Sequence, residues 1–403
     1  MSSISISLGE ICSLITDGKH GDCKNEDDSG FFFISAKDIK DGRIHYENAR
    51  QIIYEDFLET HRRTNLQPGD ILLTNSGTIG RLAIAPDEEI TYKTTFQKSV
   101  AILKPILELI NSKYLYYFLL KNQTRLENAA RGAAQKNLLL SELRRFNILV
   151  PSKDVQNSIV SYLSPYDDLI ENNRRRIQLL EEAARLLYQE WFVRLRFPGH
   201  EHTKIVDGVP EGWIKGIISD FYDTTSGGTP SRKNPDYYTG DINWVKTQEL
   251  IGGYIFETSE KITQIAISKS AAKILPKKTL LVAMYGATIG EIGILAEPAA
   301  CNQACCAIIP KRDLSNEIFA YLFFKDNKLR LKSLSQGAAQ NNVNQQVIRE
   351  YPMILPSKNV MFQFLTYLNP IMDELKNLSL TNSNLVKARD LLLPRLMNGV
   401  IPV

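Results

Sequence analysis

Two short stretches carry side chains that could bind a phosphate or a metal. Thr225–Asn234 reads TSGGTPSRKN, a Gly-Gly turn followed by Arg232 and Lys233. Backbone N–H groups at such a turn, with two cations beside them, can cradle a phosphate. The same residues also make an ordinary turn, and both readings stand. The second stretch, CNQACC, brings together Cys301, Cys305 and Cys306. A zinc site needs Cys or His ligands at set spacings, and none of the five histidines supplies one with these cysteines. The run QACCAIIP reads better as a buried strand with small residues.

Asn234–Tyr237, NPDY, resembles the Asn-Pro-Pro-Tyr/Phe loop in which amino-methyltransferases hold a flipped base. Here Asp236 stands in place of the second proline, and no glycine-rich cofactor strand precedes it. There is no Gly-Lys-Ser/Thr loop and no Gly-x-Gly-x-x-Gly opening a helix, so nucleotide binding lacks sequence support. Methyl transfer by this chain likewise lacks support.

The elements that must position these stretches occur twice. RGAAQKNLLLSELRRFNILVPS (Arg131 to Ser152) and QGAAQNNVNQQVIREYPMILPS (Gln336 to Ser357) agree at eight of 22 positions with a constant offset of 205. The register persists, with Val155, Tyr162, Leu163, Pro165 and Asn172 falling on Val360, Tyr367, Leu368, Pro370 and Asn377. Upstream, GDILLTNSGTIGRLAI (Gly69 to Ile84) faces KTLLVAMYGATIGEIGIL (Lys278 to Leu295), and FISAKDIKDGRI (Phe33 to Ile44) faces WVKTQELIGGYI (Trp244 to Ile255). A solenoid repeats every 20 to 50 residues or so; an offset of 205 is a whole domain plus a connector.

Each copy reads as a mixed α/β domain followed by a long amphipathic helix, an α+β fold with an internal repeat. GDILLT, SVAILK and FNILVP match TLLVAM, CCAIIP and YPMILP as strands, and NSKYLYYFLLKN matches NEIFAYLFFKDN as a helix. In the first long helix Ile170, Ile177, Ala184 and Trp191 recur every seven residues, with Leu180 and Leu187 between. Leu375, Leu378, Leu385, Leu392 and Leu396 form the second seam. A helix of about 30 residues spans roughly 45 Å. Either each helix packs on its own domain, or the two pair antiparallel and make the halves pseudo-two-fold related. In the second case Asn173 and Asn382 would set register, and a fragment from Met1 to Pro198 would carry both surfaces needed to dimerise. Pro394 is expected to kink or end the second helix. The expected boundaries are a domain over 1–153, a helix over 154–197, a linker over 198–213, a domain over 214–358 and a helix over 359–403.

Composition bounds the class. The 403 residues, 43% hydrophobic and 23% charged, describe an ordinary globular chain. No apolar run reaches the roughly 18 residues of a membrane span. Five cysteines, an odd number, suit reduced thiols in a cytoplasm. The formal net charge is only +3, and residues 1–150 carry 19 basic and 19 acidic side chains, so no domain is a polycation. Phosphate contacts must come from local clusters or a partner.

In this order and duplicated, these phrases resemble the specificity subunit of type I restriction–modification enzymes over essentially the whole chain. The phrases that carry the resemblance are Gly-Ala-Ala-Gln-x-Asn...Pro-Ser in both copies, WFVRLRFPG leading to GVPEGW, SGGTPSR followed by INWVKTQEL, the two Thr-Ile-Gly segments and the terminal LLLPRLMNGVI. The resemblance implies two target recognition domains joined by two long antiparallel spacer helices in a coiled coil, each domain reading half of a split double-stranded DNA site. It also implies two methyltransferase subunits that bind S-adenosylmethionine and restriction subunits that use ATP and Mg, leaving this chain without cofactor. Copy one departs with LITDGKHGD where copy two has TSGGTPSRK, so loop contacts do not transfer between domains.

Base reading needs Arg or Lys for guanine and Asn or Gln for adenine. The expected readers lie in polar loops: Lys19, His20, Lys24, Lys37, Asn75, Ser76, Lys93 and Gln97 in copy one, and Ser226, Thr229, Arg232, Lys233, Lys246, Gln248, Tyr285 and Gln303 in copy two. Gly132, Gln135, Gly337 and Gln340 read as structural because both copies share them. The competing readings are a scaffold that docks proteins through its helices without reading DNA, and a self-sufficient methyltransferase.

Overall fold

The structure is a computed structural model that describes residues 4–131, 136–311, 315–335 and 342–402. Gly132, Gln135, Gly337 and Gln340 lie outside the described residues. The chain divides into two compact units, Met1–Leu169 with Leu385–Val403, and Ile170–Asn384.

The first unit is built on an antiparallel four-stranded sheet in the order Cys12–Asp17, Val100–Pro105, Ile71–Thr74, Leu82–Ile84. Alternation along each strand sends side chains to opposite faces. Ile71, Leu73, Ala101 and Leu103 enter one apolar cluster, and Leu72, Val100 and Ile102 enter another. A sheet covered on both faces needs continuous apolar runs, which is why ILLT and VAIL lack the alternation of a half-exposed strand. Phe32–Ile34 pairs parallel with Thr94–Phe96 in a smaller sheet, and Ile4–Ser7 pairs antiparallel with Asn147–Val150.

The second unit repeats this plan. Its sheet runs Tyr222–Ser226, Cys305–Pro310, Leu280–Ala283, Ile292–Leu295, Tyr254–Ile255. Trp244 and Val245 pair parallel with Ala300 and Cys301, as their counterparts do in the first unit. Cys306 faces one cluster while Cys301 and Cys305 face the other. All five cysteines are buried and free, and burial pushes the Cys306 thiol up to about 12. The cysteines therefore sit on two core strands, Ala300–Cys301 and Cys305–Pro310, joined by a turn, and among the described residues no cluster of His, Cys, Asp and Glu could hold a metal.

Shared phrases mark shared local needs. Gly80 and Gly290, which end the two Thr-Ile-Gly segments, have φ of 84° and 79°. A Cβ there would lie 3.0 Å from Gln123 Cγ in one unit and 3.1 Å from Lys328 Cγ in the other. Left-handed backbone and close approach together demand glycine. Helices Ser112–Lys121 and Glu317–Asp326 are opened by Asn111 and Asn316, whose side chains accept from the first-turn amides. Such caps contribute about 1 kcal/mol each.

The long helices span Lys153–Tyr188 and Lys358–Met397. In the second unit Ile170, Ala184, Trp191, Leu375 and Leu378 are buried, and Ile177, Leu180 and Leu187 are half-buried against the same core. In the first unit the last turns bury Leu393 and Leu396, while Leu385 and Leu392 are only half-buried. The helices pair antiparallel within both units: Arg389 meets Asp167 in the first, and Asn382 meets Asn173 and Glu374 meets Arg176 in the second. The second helix runs past Pro394 to Met397, contrary to an early stop at the proline. Burial of Leu393 and Leu396 offsets the backbone hydrogen bond that Pro394 cannot donate. Among the described residues no helix is long and apolar enough to cross a membrane.

Candidate nucleic-acid interface

In the second unit, chain segments far apart in sequence meet at one open cleft of about 630 Å3. Its walls are Ser226 at the end of strand Tyr222–Ser226, Met284 and Tyr285 after strand Leu280–Ala283, Gln303 in the turn before strand Cys305–Pro310, and Asn344, Gln345, Gln346 and Arg349 around the short helix Gln345–Arg349. Three residues expected from sequence, Ser226, Tyr285 and Gln303, are thus brought together. Asn344, Gln345, Gln346 and Arg349 were missed because they sit inside a phrase shared by both copies. A signal existed: the counterparts of Asn344, Gln345 and Gln346 at the 205 offset are Leu139, Leu140 and Ser141. Side-chain amides can donate and accept to adenine, and a guanidinium can donate twice to guanine.

The two units share the floor of this region. A Cβ on Gly18 would lie 1.8 Å from the Phe96 carbonyl oxygen, and one on Gly227 would lie 2.1 Å from the Cys301 carbonyl oxygen. Ser76 bridges to Asn137 in the first unit as Tyr285 bridges to Asn342 in the second. What differs is the lining. Asp17, Ser76, Lys98 and Ser141 stand in the first unit where Ser226, Tyr285, Gln303 and Gln346 stand in the second.

The Gly-Gly turn has a packing role. The Gly228 N–H donates to the Cys301 carbonyl at 3.0 Å, and that of Gly227 to the Cys305 carbonyl at 3.4 Å. These amides are already engaged, so the phosphate-cradle reading loses its donors. Arg232 stacks 4.0 Å over the Tyr238 ring and donates to both Glu260 oxygens at 3.1 and 2.7 Å. Its hydrogen bonds hold the Glu260 carboxyl below the usual carboxylate range. Lys246 Nζ lies 3.6 Å from the same carboxylate. The NPDY segment forms a short 3-10 turn, Pro235–Tyr238, with the Tyr238 hydroxyl donating to the Pro230 carbonyl at 2.7 Å. Thr229, Lys233 and Gln248 are exposed.

In the first unit Lys24 and Lys37 are exposed, and Gln97 and Ser76 half-buried. Lys19 donates to Glu59 at 2.7 Å and Asp56 at 3.2 Å, and the bond to Glu59 raises its ammonium above the usual value against the cost of burial. His20 lies 3.0 Å from Asp17, and Lys93 lies 2.6 Å from Glu89. Asn75 is buried, its side-chain oxygen without a protein partner. Lys19, Lys93 and Arg232 would have to give up ion pairs to reach a base, whereas the exposed lysines would not.

Both copies match the family described as type I restriction modification DNA specificity domain, over residues 5–182 and 210–382. The chain belongs to that family. It is similar to the specificity subunit of the type I restriction enzyme HindI from Haemophilus influenzae, at 25% identity over 367 residues covering 74% of this chain and 80% of that one. The MjaIX specificity subunit of Methanocaldococcus jannaschii is 25% identical over 344 residues, covering 83% of this chain and 78% of the relative. Among solved structures, the type I restriction-modification S subunit from M. genitalium shares the fold, with a TM-score of 0.56 at 15% identity over 98% of this chain and 96% of that one.

Proposed function

We propose that this chain is the DNA-reading, non-catalytic subunit of a type I restriction–modification complex. Each recognition domain, 1–153 or 214–358, reads one half of a bipartite, asymmetric target. The helices over 154–197 and 359–403 set the separation and dock two methyltransferase subunits, which carry S-adenosylmethionine; restriction subunits supply the ATP- and Mg-dependent steps. One observation carries this reading: the two units keep the same floor beneath their loops and change the polar side chains upon it. Two protein-docking modules would have no need to vary there, whereas readers of different half-sites must. A formal net charge of +3 supports a reader that relies on partners for much of the phosphate neutralisation.

Footprinting of the chain with its methyltransferase partner tests the proposal. Protection of one split sequence is expected. Protection without sequence preference would leave the scaffold reading, and binding of S-adenosylmethionine by the chain alone would revive the methyltransferase reading.

A further inference from the structure

Two polar layers interrupt the apolar seam between the long helices, one within each unit. In the first, Arg389 Nη1 donates to Asp167 Oδ1 at 2.5 Å, and the Tyr117 hydroxyl donates to Asp167 Oδ2 at 2.5 Å. The Arg389 side chain is 13% exposed. In the second, Asn173 Nδ2 donates to Asn382 Oδ1 at 2.9 Å, and Asn382 Nδ2 donates to the Ile170 carbonyl at 3.3 Å. Asn173 is 2% exposed.

The internal repeat gives each of these residues a counterpart 205 positions away. Arg389 corresponds to Ala184, Asp167 to Met372, Asn382 to Ile177 and Asn173 to Leu378. All four counterparts are apolar. Ala184 and Met372 are buried in one cluster, Ile177 packs against it, and Leu378 is buried. At both layers, each polar residue of one helix has an apolar residue at the matching position of the other. Self-pairing of the first helix in the same register would set Asp167 against Ala184 and Asn173 against Ile177, each twice. Self-pairing of the second would set Arg389 against Met372 and Asn382 against Leu378.

We infer that these two layers make pairing of the first long helix with the second exclusive, by rejecting self-pairing of either half of the chain. A half-buried carboxylate such as Asp167 or an enclosed guanidinium such as Arg389 without its counter-charge, and a seam amide without a complementary amide, are the devices by which helices refuse a wrong partner. Tyr117 stays beside Asp167, and Asp390, 2.8 Å from Arg389 Nη2, stays beside Arg389, so part of the cost is relieved in the wrong pairs. Each layer still selects by about tenfold or more. The expectation that the fragment from Met1 to Pro198 dimerises is thereby reversed: that helix lacks the partners of Asp167 and Asn173. The inference does not depend on DNA reading.

The test keeps the whole chain. A protease site placed in the exposed linker around Glu201 and His202 allows folded protein to be cut into two halves that remain together. After incubation in mild denaturant to permit exchange, native mass spectrometry counts the pairs. One-to-one pairs of unlike halves are expected, exceeding like pairs by about tenfold or more. The substitutions Asp167→Met, Asn173→Leu, Asn382→Ile and Arg389→Ala copy each counterpart into the seam and make it symmetric, and like pairs should then appear in near-statistical proportion. Wild-type halves that pair with themselves as readily as with each other would overturn the inference, as would exclusive unlike pairing by the symmetric variant. Should that variant not fold, cut wild-type protein is mixed with cut Asp167→Arg/Arg389→Asp protein. Halves that match like charge to like charge should not combine, and free mixing would overturn the inference.

Discussion

Arg232 donates from both terminal nitrogens to the two carboxylate oxygens of Glu260, at 3.1 and 2.7 Å, while its guanidinium rests on Tyr238. A residue whose type suggests guanine reading is thus a strut that ties the Gly-Gly loop to the residues before Lys261. Arg232→Ala should therefore lower the stability of the second unit by about 1 kcal/mol, the sum expected for a screened ion pair and an exposed cation–π contact. Denaturant unfolding followed by tryptophan fluorescence measures this, since Trp244 lies 5.4 Å from the guanidinium. Base preference should be unchanged; its loss at one position with stability intact would make Arg232 a reader.

The cleft side chains should behave in the opposite way. Gln303→Ala and Gln346→Ala should leave stability unchanged and each relax one base pair of the half-site read by the second unit, by about 1–3 kcal/mol of discrimination. Competition binding of the assembled complex with DNA carrying single-base changes decides the matter. Uniform weakening across all sequences would assign these residues to the backbone instead.

Much of the fold was legible because it rests on local chemistry. The Thr-Ile-Gly turns, the Asn caps and the apolar runs of doubly covered strands are each dictated within a few residues, and so repeated visibly in both copies despite small changes in loop length. The cleft was only partly legible, because Ser226, Tyr285, Gln303 and Gln346 meet through strand pairing that no short stretch encodes. Which cations are neutralised was not legible at all. Lys19, Lys93 and Arg232 look like Lys24 or Lys233 in sequence, yet their acidic partners differ in distance from four residues for Lys93 to 28 for Arg232 and 40 for Lys19. In the seam, the heptad pattern marked the apolar residues, while the Asp167–Arg389 layer was hidden by the usual assumption that charge faces water.

Salt dependence separates the exposed lysines from these. Lys24→Ala and Lys233→Ala should weaken binding to all sequences alike and lower the slope of log affinity against log salt by about one unit for each lost phosphate contact. Lys19→Ala, which breaks an internal ion pair, should leave the slope unchanged. Measured slopes in the reverse order would exchange their roles.

The long helices should act as a ruler. Inserting seven residues, about 10 Å of helix, into both at matched positions outside the polar layers keeps the seam in phase. The gap between half-sites should lengthen while the bases of each half-site stay the same. A change in the half-site bases would show that the loops are not the readers.

The decisive measurement is a map of methylated positions in DNA from cells that carry this chain with its methyltransferase and restriction partners. If the two domains read different half-sites, there is one bipartite target whose two halves differ in sequence and keep a fixed separation. In cells carrying Gln303→Ala and Gln346→Ala, only the half read by the second unit should loosen. Methylation without a shared sequence, or at a palindrome built from a single half-site, would contradict that premise.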